Sequence, residues 1–146
     1  MKKAISIIIY SFLLFGCQQK IKPSDISKIN GYWEIEKVVS NQEKDKKYRF
    51  NDTFDYFEIK NNKGFRKKVM PQLDGSFLVN DASENVEVVF KNDKTYLNYS
   101  TSFSKWSEEL TAISNDEMIV VNSEKKEYHY KKTSPINLIN DGKTTK

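Results

Sequence analysis

The chain has 146 residues, with 24 Lys+Arg against 20 Asp+Glu (net +4), one His and one Cys. That is material for one domain, and a single cysteine with a single histidine excludes both a disulfide framework and a zinc-type ligand set. Charges alternate in sign along the chain (Glu34, Glu36, Lys37; Glu84, Glu87, Lys91), with only small clusters such as Arg66-Lys67-Lys68. This is an ordinary solvated surface, without the basic, aromatic-interleaved face that nucleic acid requires.

Met1-Lys2-Lys3 gives a positive start, and Ala4 to Phe15 makes a 12-residue apolar run, too short to span a bilayer and suited to a secretory signal. The run ends in Leu14-Phe15-Gly16-Cys17, which resembles the lipobox of bacterial lipoproteins. The resemblance implies cleavage before Cys17, diacylglycerol on its sulfur and acylation of the new N-terminus. Residues 1–16 are therefore expected to be a signal peptide and Cys17 the lipid attachment site. Removing Lys2 and Lys3 with the signal leaves 22 basic and 20 acidic residues, a mature charge of +2.

Gln18 to about Lys28 is polar, carries Pro23 and lacks periodicity. It reads as a flexible tether over 17–28, of roughly 15–20 Å root-mean-square span. The residues after the cysteine, Gln18-Gln19-Lys20-Ile21-Lys22, include neither an aspartate nor a glutamate. In the lipoprotein family that implies the outer membrane, with the domain facing the periplasm.

From Gly31 the hydrophobic period is two. Trp33, Ile35 and Val39 alternate with Glu34 and Glu36; Phe57 and Ile59 alternate with Glu58 and Lys60. Asn61-Asn62-Lys63-Gly64 turns the chain into a strand with Phe65, Lys67 and Val69 on one side. Pro71-Gln72-Leu73-Asp74-Gly75 turns it again before Phe77 and Val79, and Val86, Val88 and Phe90 follow. Lys91-Asn92-Asp93-Lys94 precedes Thr95, Leu97 and Tyr99; Trp106, Glu108, Leu110 and Ala112 share the next face; Met118 to Val121 and Tyr128-His129-Tyr130 close the series. Eight or nine short strands with hairpin-length loops predict an all-β antiparallel meander, closed into a barrel because closure removes exposed edges. The domain is expected over 29–131, with 132–146 a loosely packed tail.

Gly31-Tyr32-Trp33 opens the first strand, and a Gly-x-Trp there resembles the entry strand of the lipocalin superfamily. The resemblance implies a lipocalin-like barrel, with Gly31 and Trp33 as structural residues at its closed end. That family places an arginine near the last strand over the tryptophan, whereas this chain has only Arg49 and Arg66.

Bulky aromatics on inferred inward faces favour a filled interior, while an eight-stranded barrel also has room for one small ligand. If a ligand binds, Phe57, Phe65, Phe77, Tyr99 and Trp106 are expected to surround it, and Lys67 to favour an anionic head, pointing to fatty acids or similar amphiphiles. Lys67 and Glu108 on apolar faces mark a polar cavity lining, a face assigned the wrong way round, or a strand exposed near the barrel mouth. His129 reads as an exposed strand residue. No Gly-x-Ser-x-Gly, phosphate loop or His-Glu-x-x-His occurs, so neither enzyme activity, cofactor nor metal is expected. The leading expectation is a monomeric, membrane-anchored envelope lipoprotein whose barrel binds a small hydrophobic or amphiphilic ligand. The alternatives are a non-enzymatic protein-interaction module with a filled core, and an enzyme using interior carboxylates.

Overall fold

The computed structural model describes residues 20–41, 44–47, 51–74 and 76–133; the signal segment 1–16, Cys17 and most of the tail lie outside them. Nine strands follow a 3-10 helix, Pro23–Ile29: β1 (Gly31–Val39), β2 (Lys46–Lys47), β3 (Phe54–Lys60), β4 (Lys63–Pro71), β5 (Phe77–Lys91), β6 (Lys94–Ser100), β7 (Lys105–Ile113), β8 (Glu117–Val121) and β9 (Glu127–Thr133). Every pairing is antiparallel, neighbours follow in sequence order, and β9 returns to pair with β1. Eight strands therefore close a barrel, and the two-residue β2 pairs with β1 outside that circuit.

Turn chemistry sets the register. Asn61 and Asn62 sit at φ 52° and 63°, and Asn92 and Asp93 at 52° and 61°, the paired left-handed conformation of two-residue hairpins that Asn and Asp tolerate. The first turn fixes Ile59 opposite Gly64 and Phe57 opposite Arg66. Gly64 has no alternative: an added Cβ would lie 1.8 Å from the Glu58 carbonyl oxygen.

One end of the barrel is shut. Trp33 is fully buried and packs with Ile26 and Ile29 of the 3-10 helix, while its Nε1 donates to the Ile29 carbonyl at 2.7 Å. Asn30 ties the helix to β3 by two bonds with the Ile59 backbone, at 3.0 and 2.6 Å. The tether expectation for 17–28 is therefore corrected over its second half. Pro23 starts the turn, Asp25 accepts from the Lys22 backbone N–H at 2.9 Å, and Ile26 and Ile29 face the core three residues apart. Gly31, at φ +120°, lets the chain leave this helix and enter β1.

The position over the tryptophan is also filled. Lys132 of β9, opposite Trp33, stands 5.0 Å above its ring and donates to the Lys28 carbonyl at 2.8 Å. A lysine does here what the resemblance assigns to an arginine, and Lys132 belongs to the last strand although the expected domain stopped at 131.

Candidate functional site in the barrel interior and mouth

Above the closed end the inward faces become polar. With Phe57 and Ile59 pointing inward, the tight turn forces Gly64, Arg66 and Lys68 inward on β4, leaving Phe65 and Lys67 outside. Arg66 is only 8% exposed. Its Nε contacts Glu84 at 2.5 Å, its guanidinium lies 4.2 Å from the Tyr99 ring centroid and 5.9 Å from that of Phe57, and Glu108 is 3.9 Å from its Nη1. Asp55, 2% exposed, pairs with Lys68 at 2.5 Å. Lys68 and Glu84 reach solvent, so the network runs from the barrel centre to its mouth.

Electrostatics follow from the crowding. Burial opposes the Arg66 charge, but the face of the Tyr99 ring and the carboxylates of Glu84 and Asp55 more than offset this, and the guanidinium stays protonated. Burial raises the Glu108 carboxyl pKa, with Arg66 pulling the other way, and burial holds the Tyr99 and Tyr130 hydroxyls neutral. Three oxygens at the centre are buried: Asp55 Oδ1, which the Lys68 ammonium reaches at 2.5 Å, and the Tyr99 hydroxyl and Glu108 Oε2, which have no aligned hydrogen bond.

The Glu108 shift has a definite sign. A carboxyl whose pKa is raised on folding favours the fold below its unfolded value of 4.5, and that contribution is lost as pH climbs through the raised value. Glu108→Gln should therefore gain stability relative to the parent as pH rises from the unfolded value of 4.5 toward neutrality. Urea denaturation across that range checks this; parallel pH profiles for the two proteins would contradict it.

Three of the six residues expected around a ligand meet inside: Phe57, Tyr99 and Trp106. Trp106 stacks on Tyr99 with centroids 5.2 Å apart and planes 12° from parallel. The other three do not. Phe65 and Lys67 lie on the outer wall, with the Lys67 ammonium 5.1 Å from the Phe65 ring. Phe77 stacks on Tyr32 at 4.7 Å, and Tyr32 contacts Tyr56, which contacts Phe65, so these aromatics form a belt outside the barrel. β5 carries two extra residues at a bulge, since Lys67 opposes Ser83 but Val69 opposes Val79; an even insertion keeps the parity, so Phe77 and Val79 fall on the face opposite Val86 and Val88. Phe90 follows the inward alternation of Val86 and Val88 but lies half-exposed at the closed-end rim. His129 stays on the outer wall against Glu127 at 2.5 Å.

Side chains occupy the barrel axis: Phe57, Leu97, Tyr99, Leu110 and Val120 are almost wholly buried. A recess of about 670 Å³ opens elsewhere, lined by Lys63, Asn85, Glu87, Asn98, Lys105 and Ser107 among others. These six alternate with the buried residues of their strands and face the outer wall, while Tyr99 and Trp106 also line the recess. At the mouth, Met70, Leu73, Leu78 and Val79 of the β4–β5 hairpin and Phe103 of the β6–β7 loop are exposed.

The described strands form a closed, up-and-down barrel of eight antiparallel strands, an architecture that lipocalins share with other barrels. No family model and no curated protein matches the sequence. Among solved structures it is similar to a lipocalin-like protein from Bacteroides uniformis ATCC 8492, with a TM-score of 0.46 and 9% identity over 73% of this chain and 99% of that one. An uncharacterized protein from Bacteroides eggerthii DSM 20697 gives 0.45 and 12%, over 71% and 98%. Apocrustacyanin C1 gives 0.46 and 8%, over 77% and 64%.

Proposed function

We propose that this chain is a lipid-anchored envelope protein whose barrel binds a small amphiphilic molecule at its mouth rather than along its axis. The observation that carries the reading is the buried Tyr99 hydroxyl and Glu108 Oε2, neither with a well-aligned hydrogen bond, beside the Lys68-paired Asp55 and below a mouth edged by Met70, Leu73, Leu78 and Phe103. A buried acceptor left unpaired costs about 1–3 kcal/mol, so a head group that donates to these oxygens relieves that cost on binding. A polar floor beneath an apolar rim is the usual composition of a small-molecule site. The acceptors select a hydroxyl- or amine-bearing head, in place of the anionic head that an inward Lys67 would have favoured.

The lipobox, Leu14 to Cys17, supports the anchor, and Gln18 after the cysteine supports the outer membrane facing the periplasm. A second reading, a protein-docking module, is favoured by the filled axis together with the exposed hairpin residues Met70, Leu73, Leu78 and Val79.

Trp106 reports on the mouth. Titration with long-chain alcohols, amines and fatty acids should give saturable quenching or a spectral shift with the first two classes. Trp106→Phe should abolish the signal while the domain stays folded, because Trp33 is sealed in the closed end. No saturable change with any class would shift the reading to protein docking.

A further inference from the structure

We infer that the closed end of the barrel docks on an anionic phospholipid surface, holding the mouth away from the membrane. The inference rests on the Cys17 anchor proposed above and adds the orientation and the lipid chemistry. The 3-10 helix and its lead-in meet the other closed-end elements directly. Lys20 pairs with Asp93 of the β5–β6 turn at 2.5 Å, Asn30 holds β3, and Lys132 of β9 holds the helix carbonyl of Lys28. Recesses joining Lys20 and Ile21 to Thr111 and Asn115 extend the same surface to the β7–β8 turn.

Charge is concentrated on this end. Residues 20–30, 60–63, 91–94, 114–117 and 131–133 hold nine lysines against four acids, a net +5, or +3 once Glu87 and Glu109, the partners of Lys63 and Lys94, are counted with them. The chain from Cys17 onward carries +2 in all, so the rest of it is at −3 or −1 respectively. Lys22, Lys60 and Lys91 are exposed there and form no ion pair among the described residues. Ile21 already packs against the core, and it follows Cys17 by only four residue steps, with Gln18, Gln19 and Lys20 between. Fully extended, that link spans at most about 14 Å. The closed end therefore cannot drift much beyond a Debye length, about 8 Å at physiological salt, from the headgroups. Exposed lysines within that layer are attracted to anionic lipid, and a basic patch beside an acyl anchor gives two-signal attachment.

The test uses the full mature protein, purified from membranes with its own lipid and reconstituted in phosphatidylcholine vesicles, or in vesicles with about a third phosphatidylglycerol. Lysines are acetylated briefly and read by peptide mass spectrometry. Lys22, Lys60 and Lys91 should label at least about five-fold more slowly on the anionic vesicles, and high salt should erase the difference. Lys47 and Lys125, at the far end, should label alike on both. In a Lys60→Glu/Lys91→Glu variant, Lys22 should lose its protection while the Cys17 peptide keeps its lipid mass. Even labelling of the closed-end lysines on a lipidated protein, protection at Lys47 or Lys125, or a variant that keeps Lys22 protected would overturn the docking alone. A Cys17 peptide without lipid would overturn the anchor, and the docking with it.

Discussion

Arg66→Met is expected to destabilise the barrel by about 3–5 kcal/mol at neutral pH, as removal of one partner from a buried charge network does. Arg66 is the cation shared by Glu84 and Glu108, and it stacks on the Tyr99 ring. Lys68 remains with Asp55, but no other lysine or arginine is paired with Glu84 or Glu108 among the described residues. Methionine matches the stem in size, so the loss reports charge rather than volume. Arg66→Lys should recover only part of it, because an ammonium lacks the planar fork that meets the Glu84 carboxylate and lies on the Tyr99 ring. Adding Glu108→Gln to Arg66→Met should recover part as well, since one of the stranded carboxyls is then neutral. Urea denaturation of the four proteins checks this, and a loss below about 1 kcal/mol for Arg66→Met would place the cluster in water rather than in the core.

Trp33→Ala should cost about 3–5 kcal/mol. The ring is fully buried between the 3-10 helix and the barrel, under the Lys132 ammonium, and its truncation leaves a cavity and an unpaired Ile29 carbonyl. Trp33→Phe keeps most of the packing but not the hydrogen bond, so it should cost about 1–3 kcal/mol by itself. The comparison of the two by denaturant midpoint separates packing from bonding. A loss below about 1 kcal/mol for the alanine variant would make the closed end peripheral to stability.

The strands and most turns were readable because alternation and the Asn-Asn and Asn-Asp pairs act locally. The face of β4 was not. Its apolar set, Phe65 and Val69, looked like the core side, but the barrel interior is charged at this strand, so the usual rule of apolar-inward reversed. Parity counted from Ile59 through the two-residue turn would have placed Arg66 and Lys68 inside. Phe77 and Val79 look like a core face of their own, but they lie on one long strand with Val86 and Val88, and alternation along it puts them on the opposite, outer face. The Pro23–Ile29 helix is too short for a periodic signal, its only trace being Ile26 and Ile29 three apart after a proline. Lys132 was missed because only arginine was sought over Trp33. Of the residues expected around a ligand, Phe57, Tyr99 and Trp106 face inward as alternation places them, while Asp55 and Glu84 sit among residues that read as ordinary solvated charges.

The most direct test is native mass spectrometry of the protein taken from its own envelope. The expected spectrum shows a chain beginning at Cys17 with covalent acyl mass, plus a non-covalent adduct that leaves on collisional activation. Tyr99→Phe and Glu108→Gln together should lose the adduct and keep the covalent lipid, because they remove two of the buried oxygens offered to its head group. A chain that carries no adduct in the parent protein, or retains it unchanged in the double variant, would contradict binding at the polar floor of the mouth.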